Sequence, residues 1–291
     1  MAFHASISEA LFAGVTEGPK IVLIAGRTPD NPGFFKQALA CGATHILLEK
    51  PGAPTVALLE EMAALAKAKG VPVFMGFIKN IATYVEEALA AAEKTTGKTQ
   101  VKLVSRNDYK SDEASLGECF SRNSEGMLKN MAIHELALAA QFFGMRADNI
   151  VDVSLDAAGS ECLTLGDFTD FSRIDFTLTN DKGAQVRISS DRCSGSGCCS
   201  VVTDADGAVV YEKEMVEGER ATQVAARMAA HPDWFSYLIT QEFEYAKLKQ
   251  MCSEHATAGT LPPGVSTIEI AIEALKLAEY LTPLIKAKLS A

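Results

Sequence analysis

Residues 20–80 alternate continuous apolar runs with amphipathic segments, and this alternation constrains the fold more than any other feature. The apolar runs are KIVLIAG (20–26), THILLE (44–49) and VPVFMGF (71–77), and the segments GFFKQALACGA and TVALLEEMAALAKAKG between them have helical spacing. Apolar strands separated by helices of this length predict a parallel sheet that is covered on both faces. In such doubly wound sheets, ligands bind outside the carboxyl ends of the strands.

The pattern changes after residue 80. There, NIATYVEEALAAAEKTTG predicts a helix, QVKLVSRNDY a strand, and EGMLKNMAIHELALAAQFFG (125–144) one long helix. Residues 148–212 predict several strands of alternating character, and glycine supplies the positive φ in hairpin-like turns at TNDKGAQ and TDADGAV. Together these segments predict a mostly antiparallel sheet with helices on one face, followed by C-terminal helices.

Charge and hydropathy exclude two classes of partner. The formal net charge is −10 and the sequence pI is about 5.1, whereas binding to nucleic acid requires a basic patch that neutralises phosphates. No apolar run approaches the roughly 20 residues of a membrane-spanning helix, and the N-terminus lacks the pattern of a secretory signal. We therefore expect a cytoplasmic protein with a small-molecule substrate and with neither nucleic acid nor membrane as a partner.

The stretch DRCSGSGCC (191–199) raises the question of a metal site. Cys198 and Cys199 are adjacent, no histidine lies nearby, and the two-residue gap typical of paired zinc ligands is missing. Reduced thiols suit seven scattered cysteines in a chain without an export signal. We expect no metal, and a glycine- and serine-rich turn between two strands.

The second apolar run ends in HILLEKPG (45–52), which places Glu49 and Lys50 directly after a buried strand. This is the edge of the sheet at which doubly wound proteins bind their ligands. An ammonium group at this edge stabilises negative charge that develops on a ligand oxygen. Lys50 is therefore the first candidate for a functional residue.

The chain resembles the glucose-fructose oxidoreductase and inositol dehydrogenase family, Gfo/Idh/MocA, in the order and spacing of several segments. These are ILLEKPGA, the helix and strand after it, and the later EGMLKNMAIHELAL. The similarity covers almost the whole chain. It implies an α/β plus α+β fold with a truncated doubly wound, Rossmann-like parallel sheet in residues 1–79. An α+β domain with an open-faced, mostly antiparallel sheet for substrate binding and oligomerisation is expected in residues 80–264. A C-terminal helix in residues 265–291 is expected to pack back on the domain junction.

The resemblance implies an NAD(P)-dependent oxidoreductase that acts on a hydroxyl of a sugar, polyol or related small molecule. Lys50 matches the family's lysine that contacts substrate hydroxyls and the nicotinamide region, and Pro51 matches its proline after the strand. His134 matches the histidine that exchanges a proton with the substrate hydroxyl, so Lys50 and His134 are the implied catalytic residues. Asn130 stands where the family usually carries an aspartate, and an asparagine forms hydrogen bonds but cannot accept a proton.

The residues themselves allow a second interpretation of His134. It lies among apolar neighbours, and from position alone a histidine buried in the core is the better interpretation. Its ordinary pKa of about 6.5 nevertheless suits proton exchange with an alcohol. Asn130 and His134 are separated by four residues, so on one continuous helix they would share a face. Together with Lys50, this spacing favours a functional histidine.

Further candidates follow from their places in the sequence. Lys79 and Asn80 come just after the third apolar run, and Lys129 precedes Asn130; with Asn130 they form the predicted substrate-binding set. For Lys79 and Lys129, a solvated surface charge is the alternative interpretation. The predicted cofactor-binding residues lie in the loops after the first two apolar runs: Gly26, Arg27, Thr28, Asn31, Glu49 and Pro51.

One element of a dinucleotide-binding fold has no counterpart in the sequence, because no G-x-G-x-x-G turn occurs. The start of the chain resembles a later part of the family's nucleotide-binding domain. This start consists of a predicted short helix, ISEALFAG (7–14), and the run KIVLIAG. We therefore expect the chain to begin inside that domain. Without the amides of the turn and the helix dipole, binding of NAD or NADP is expected to be weak or absent unless another chain supplies that part.

Two expectations about partners and activity follow. A parallel sheet with a bare edge needs a cover, so we expect a homo-oligomer formed through the open-faced sheet or a partner chain over the incomplete parallel sheet. The alternative to an enzyme is a non-catalytic relative that serves as a binding or scaffold subunit. The absent glycine turn and Asn130 favour that alternative, whereas Lys50, Pro51 and His134 favour the enzyme.

Overall fold

The computed structural model describes residues 17–108 and 111–290. Its first sheet has three parallel strands in the order β1–β2–β3, namely β1 (Ile21–Ile24), β2 (His45–Leu48) and β3 (Val73–Met75). Helices α1 (Asn31–Ala40) and α2 (Val56–Ala68) connect these strands. The doubly wound pattern predicted from the apolar runs is therefore confirmed. The short helix predicted over residues 7–14 lies outside the described residues.

The first sheet buries one face completely. Alternate residues of the three strands share one apolar core with Phe35 of α1 and Leu59 of α2. On β1, which is an edge strand, the side chains that point to the opposite face are more open, since Ile21 is 38% and Leu23 50% exposed. The bare apolar edge expected from the sequence is present in the described part of the chain.

The second sheet has seven strands in the order β10–β9–β4–β8–β7–β5, with β6 paired to β7. Every pair is antiparallel except β4 with β8, which confirms the mostly antiparallel sheet. The strands are β4 (Gln100–Arg106), β5 (Ile150–Leu155), β6 (Glu161–Leu165), β7 (Phe168–Asn180), β8 (Gln185–Asp191), β9 (Gly197–Thr203) and β10 (Val209–Glu214). Strand β6 was not predicted, and the cysteine-rich stretch forms the predicted turn between β8 and β9.

Two helices pack against the second sheet. Helix α3 (Thr83–Lys94) follows a short 3-10 helix at Ile78–Ile81 and packs against β4, β9 and β10. Helix α4 (Glu113–Arg122) packs against β6 and β7. The 3-10 helix comes directly after β3 and therefore lies at the carboxyl end of the parallel sheet.

The single long helix predicted over residues 125–144 is wrong. The segment forms a short helix α5 (Met127–Asn130) and a separate helix α6 (Ile133–Phe142). The Met127 amide is held by both carboxylate oxygens of Asp170, at 2.9 and 3.1 Å. At the break, the Ala132 N–H bonds to the carbonyl of Met127, five residues back instead of four. Asn130 and His134 therefore do not share the face of one continuous helix.

Three long helices complete the fold: α7 (Gly218–Ala230), α8 (Ser236–Ala258) and α9 (Ile268–Leu289). Leu248 and Cys252 of α8 cover Leu47 and Phe74 on the second face of the parallel sheet. Helix α9 packs against α2 and α6 and so joins the two sheets. No helix in residues 17–108 or 111–290 has the length and apolar content required to cross a membrane.

Candidate active site

A cavity of about 490 Å³ lies where the carboxyl ends of the parallel strands meet the second sheet. Lys50 comes from the segment after β2, Lys79 from the 3-10 helix, and His134 from the first turn of α6, and all three line the cavity. Asn130, at the end of α5, lines it as well. The two residues that the sequence predicted as catalytic are therefore brought to one cavity by different layers of the fold.

The turn after β2 places Lys50. The Glu49 N–H bonds to the Ile24 carbonyl at 2.8 Å and so continues the sheet ladder one residue beyond the strand. The Lys50–Pro51 peptide bond is cis, and Gly52 has a φ of +99°. A Cβ at Gly52 would lie 2.8 Å from Leu59 Cδ1, so both the backbone and the packing require glycine there. Lys50 is the side chain of this turn that enters the cavity.

Lys50 crosses from the first sheet to the helices of the second. Its Nζ donates a hydrogen bond to the backbone carbonyl of Asn130 at 2.9 Å. The last carbonyls of a helix have no partner within that helix, and the end of α5 at Asn130 leaves this carbonyl free to accept. Burial lowers the pKa of Lys50, although the nearby Glu49 carboxylate raises it. The helix break, which the sequence did not predict, thus creates the acceptor for Lys50.

His134 is buried, with 4% of its surface exposed. Its ring meets the Phe77 ring edge to face, with the centroids 5.8 Å apart. Its Nδ1 has no hydrogen-bond partner among the described residues. Burial lowers the pKa of His134 well below its ordinary value, and the ammonium groups of Lys79 and Lys50 lower it further. The imidazole is therefore neutral at neutral pH and able to accept a proton.

Lys79 is the second cation of the cavity wall. Its Nζ donates to Glu135 Oε1 at 2.5 Å, and the two side chains are only 5% and 1% exposed. Burial on its own would lower the pKa of Lys79, but the Cys198 sulfur and the Glu135 carboxylate beside it raise that pKa well above its ordinary value. Lys79 is therefore a buried ammonium, and not the solvated surface charge that was its alternative interpretation.

Two predicted substrate-binding residues lie away from this cavity. Asn80 is fully buried and donates a hydrogen bond to Gln141 Oε1 at 2.9 Å, behind the cavity wall. Lys129 forms an ion pair with Glu279 at 2.8 Å and lines a second cavity. The side chain of Asn130 donates to Glu125 Oε1 at 2.8 Å. Of the four predicted residues, Lys79 and Asn130 reach the cavity that contains His134.

The predicted cofactor-binding residues divide into two groups. Arg27, Thr28 and Pro51 line the second cavity, of about 480 Å³, together with Lys129. The other three have contacts inside the fold. Gly26 lies so close to Phe34 that a Cβ would be 2.7 Å from its ring, Asn31 donates to the Gly52 carbonyl at 3.2 Å, and Glu49 lies against Gly76 and is hydrogen-bonded to Tyr245.

The sequence did not identify the residues that the second sheet and the later helices contribute to the cavity. The lining residues at strand ends could have been predicted from the sequence, because polar residues follow β4 (SRN, 105–107) just as they follow β2. The residues from α7 and α8 had none, because nothing local indicates that these helices cover the cavity. The missed lining residues include Arg106, Asn107, Cys198, Glu214, Tyr237 and Gln241.

Comparison with known proteins agrees with this architecture. Residues 4–77 match the sequence profile of an oxidoreductase family with an NAD-binding Rossmann fold, Gfo/Idh/MocA. A search of curated proteins found no match. Among solved structures, the chain is similar to a myo-inositol dehydrogenase from Corynebacterium glutamicum, with 19% identity and a TM-score of 0.65 over 89% of this chain and 75% of that one.

Two further structures show the same fold. The myo-inositol 2-dehydrogenase from Lactobacillus plantarum is 16% identical, with a TM-score of 0.66 over 95% of this chain and 80% of that one. GenD2 from gentamicin A biosynthesis, solved in complex with NAD, is also 16% identical, with a TM-score of 0.66 over 95% and 78% of the two chains. The chain therefore shares the fold of these three solved proteins. The match confirms the predicted resemblance to the Gfo/Idh/MocA family for residues 4–77.

Proposed function

We propose that the protein is an NAD(P)-dependent oxidoreductase that acts on a hydroxyl group of a sugar, polyol or related small molecule. The observation that supports this proposal is the convergence of Lys50 and His134 on one cavity of about 490 Å³. That volume lies within the range of about 300–1,000 Å³ typical of small-molecule sites. A homo-oligomer formed through the open-faced sheet, or a partner chain that covers Ile21 and Leu23 on the parallel sheet, belongs to the same proposal.

The two residues have complementary roles in this proposal. His134 is neutral at neutral pH, so its imidazole takes the proton of the substrate hydroxyl as the alcohol is oxidised. The Lys50 ammonium stabilises the negative charge that develops on the same oxygen. Asn130 is held by Glu125 and contributes hydrogen bonding to the substrate. NAD(P)+, when bound, supplies the acceptor of the hydride.

The described residues fit the nicotinamide end of the cofactor but offer no glycine-rich turn for its pyrophosphate. Lys50 and Pro51 are adjacent in the chain, yet Lys50 lines the first cavity and Pro51 the second, so the turn lies between the two. Arg27 and Thr28 follow β1 and place a cation and a hydroxyl in the second cavity. No glycine-rich turn for a pyrophosphate occurs in residues 17–108 or 111–290. Affinity for the free cofactor is therefore expected to be low.

The proposal is tested with a panel of polyols and sugars in the presence of NAD+ or NADP+, by following the absorbance of the reduced nicotinamide. His134→Asn should lower kcat by about 10²–10⁴-fold, as expected for a lost general base. The dissociation constant of the substrate should change little. His231→Asn, in which the altered histidine stacks on Trp234, is the matched control and should keep full activity. Substrate binding without turnover by either cofactor would indicate a binding protein instead.

A further inference from the structure

The charges on the wall of the first cavity are unequal. Three cationic side chains line it, Lys50, Lys79 and Arg106, against one carboxylate among the described residues, that of Glu214. That carboxylate is already paired, because Glu214 Oε1 lies 2.6 Å from Arg106 Nη2. The Glu135 partner of Lys79 is not part of the wall and lies behind it. Among the charges that line the wall, the positive ones therefore outnumber the negative one, while Glu135 offsets part of the Lys79 charge and Glu49 and Glu125 act on Lys50.

Both lysines retain hydrogen-bonding capacity toward a ligand. An ammonium group has three N–H donors. Within the described part of the chain, Lys50 donates one hydrogen bond, to the neutral carbonyl of Asn130. Lys79 donates one to Glu135, and the Cys198 thiol is the other group within its reach. Each ammonium thus has at least one donor that the protein does not use.

Both ammonium groups lie near enough to His134 to act on its imidazole, and all three side chains line the same cavity. Oxidation of a hydroxyl beside His134 needs one cation near the developing alkoxide, and Lys50 serves that purpose in the proposed function. A neutral polyol would offer Lys79 no charged group in addition to Glu135. A carboxylate on the substrate would accept a charge-assisted hydrogen bond from Lys79, which is roughly twice as strong as a bond between neutral groups.

We propose that the substrate is a hydroxy acid, whose carboxylate binds Lys79 while its hydroxyl lies between Lys50 and His134. The polyhydroxylated six-carbon acids are the members of this class that also use the other polar groups of the cavity wall. This inference rests on the proposed function for the role of the hydroxyl. The preference for an anion rests on the wall charges alone, so it is open to measurement by binding without cofactor.

The experiment compares gluconate with sorbitol, which have the same six-carbon hydroxylated chain but differ by a carboxylate at one end. Calorimetric titration of the unmodified protein without cofactor should show gluconate binding at least about tenfold more tightly. Added sodium chloride should weaken binding of gluconate and leave that of sorbitol unchanged. Equal affinities for the two ligands, or binding of neither, would overturn the inference whatever the variants do.

Variants then locate the anion site. Lys79→Met alone leaves Glu135 buried without a partner, so the double variant Lys79→Met/Glu135→Gln is used, with its fold checked by circular dichroism. It should lose the preference for gluconate. The matched control, Arg106→Met/Glu214→Gln, also removes one cation and one carboxylate and should keep the preference. Survival of the preference in the first double variant, or its loss in both double variants, would mean that the carboxylate site assigned to Lys79 is wrong.

The outcomes separate this inference from the proposed function. Oxidation of sorbitol or myo-inositol by a protein without anion preference would keep the oxidoreductase and overturn the hydroxy-acid substrate. Tight, salt-dependent binding of gluconate by a protein that oxidises nothing would keep the anion site and contradict the oxidoreductase.

Discussion

The Nζ of Lys50 lies 2.9 Å from the backbone carbonyl oxygen of Asn130, although 80 residues separate them in the chain. One residue follows a strand of the parallel sheet, and the other ends a short helix that lies over the second sheet. This hydrogen bond fixes the position of the ammonium group between the two layers. It also satisfies a helix-end carbonyl with a cation that lines the cavity.

Replacement of Lys50 by methionine should separate stability from activity. Burial disfavours the charged form of Lys50, as its lowered pKa shows, and removal of the charge should offset the lost hydrogen bond to Asn130, so the midpoint of thermal unfolding should change little. The same change should lower kcat/KM by about 10²-fold or more, because the alkoxide loses its cation. Thermal unfolding and steady-state kinetics measure the two effects on the same preparation.

The control for Lys50→Met is Lys36→Met. It also removes one positive charge, but from an ion pair with Glu61 in which each side chain is about half exposed. It should leave both the unfolding midpoint and kcat/KM nearly unchanged. A lower unfolding midpoint for Lys50→Met would mean that the ammonium holds the two layers together and is not primarily a functional group.

The buried Lys79–Glu135 pair predicts strong non-additivity. Lys79→Met should destabilise the protein by about 3–5 kcal/mol, because it leaves a carboxylate buried without its partner. The double variant Lys79→Met/Glu135→Leu should lose clearly less than the single variant, since no buried charge remains. Urea denaturation of the two single variants and the double variant gives the coupling energy. Additive losses would show that the two side chains do not form the close pair seen in the structure.

Local sequence patterns contained enough information for the fold of the first sheet and for part of the site. Continuous apolar runs predict buried strands, and polar residues after such a run fall at the ligand-binding edge of the sheet, which predicts the place of Lys50. His134 required more than position, because a buried histidine in a helix has the same local pattern whether or not it meets a cavity. Lys79 could not be distinguished from a surface lysine, because its partner Glu135 is 56 residues away.

The remaining parts of the site depend on contacts between distant segments. The start of α5 at Met127 is fixed by Asp170, which accepts hydrogen bonds from the Met127 amide from 43 residues away. Residues 125–144 show helical periodicity throughout, so no local pattern indicates the break between α5 and α6. Strand β6 is short and has mixed burial, so it lacks a clear alternation. Tyr237 and Gln241 reach the cavity only because α8 packs across the parallel sheet, and no local pattern indicates that packing.

Gly52 should be required for the position of Lys50. Its φ of +99° is strained for any residue with a Cβ, and that Cβ would lie 2.8 Å from Leu59 and 3.2 Å from Met75. Gly52→Ala should therefore destabilise the protein by about 1–3 kcal/mol and lower kcat/KM by displacing the turn. Gly70→Ala is the matched control, with a φ of +66° but no atom within 4 Å of the added Cβ. If both variants lose equal activity, the effect is one of general strain and not of the turn.

Acid should destabilise the protein through His134. Burial, followed by Lys79 and Lys50, lowers its pKa in the folded protein well below the ordinary value of 6.5, which the unfolded chain restores. The unfolded state thus binds the proton first, so the stabilising contribution is complete above pH 6.5 and is lost as the pH falls toward the folded pKa. The slope of unfolding free energy from this group is at most about 1.4 kcal/mol per pH unit.

Urea denaturation between about pH 8 and about pH 5 measures this dependence in the unmodified protein and in His134→Gln. The variant should lose less stability on acidification, because glutamine does not titrate. His231→Gln removes a histidine outside the cavity and should follow the unmodified protein. Equal loss of stability in His134→Gln and the unmodified protein would show that the fold does not lower the pKa of His134, and the proton acceptor would lose that support.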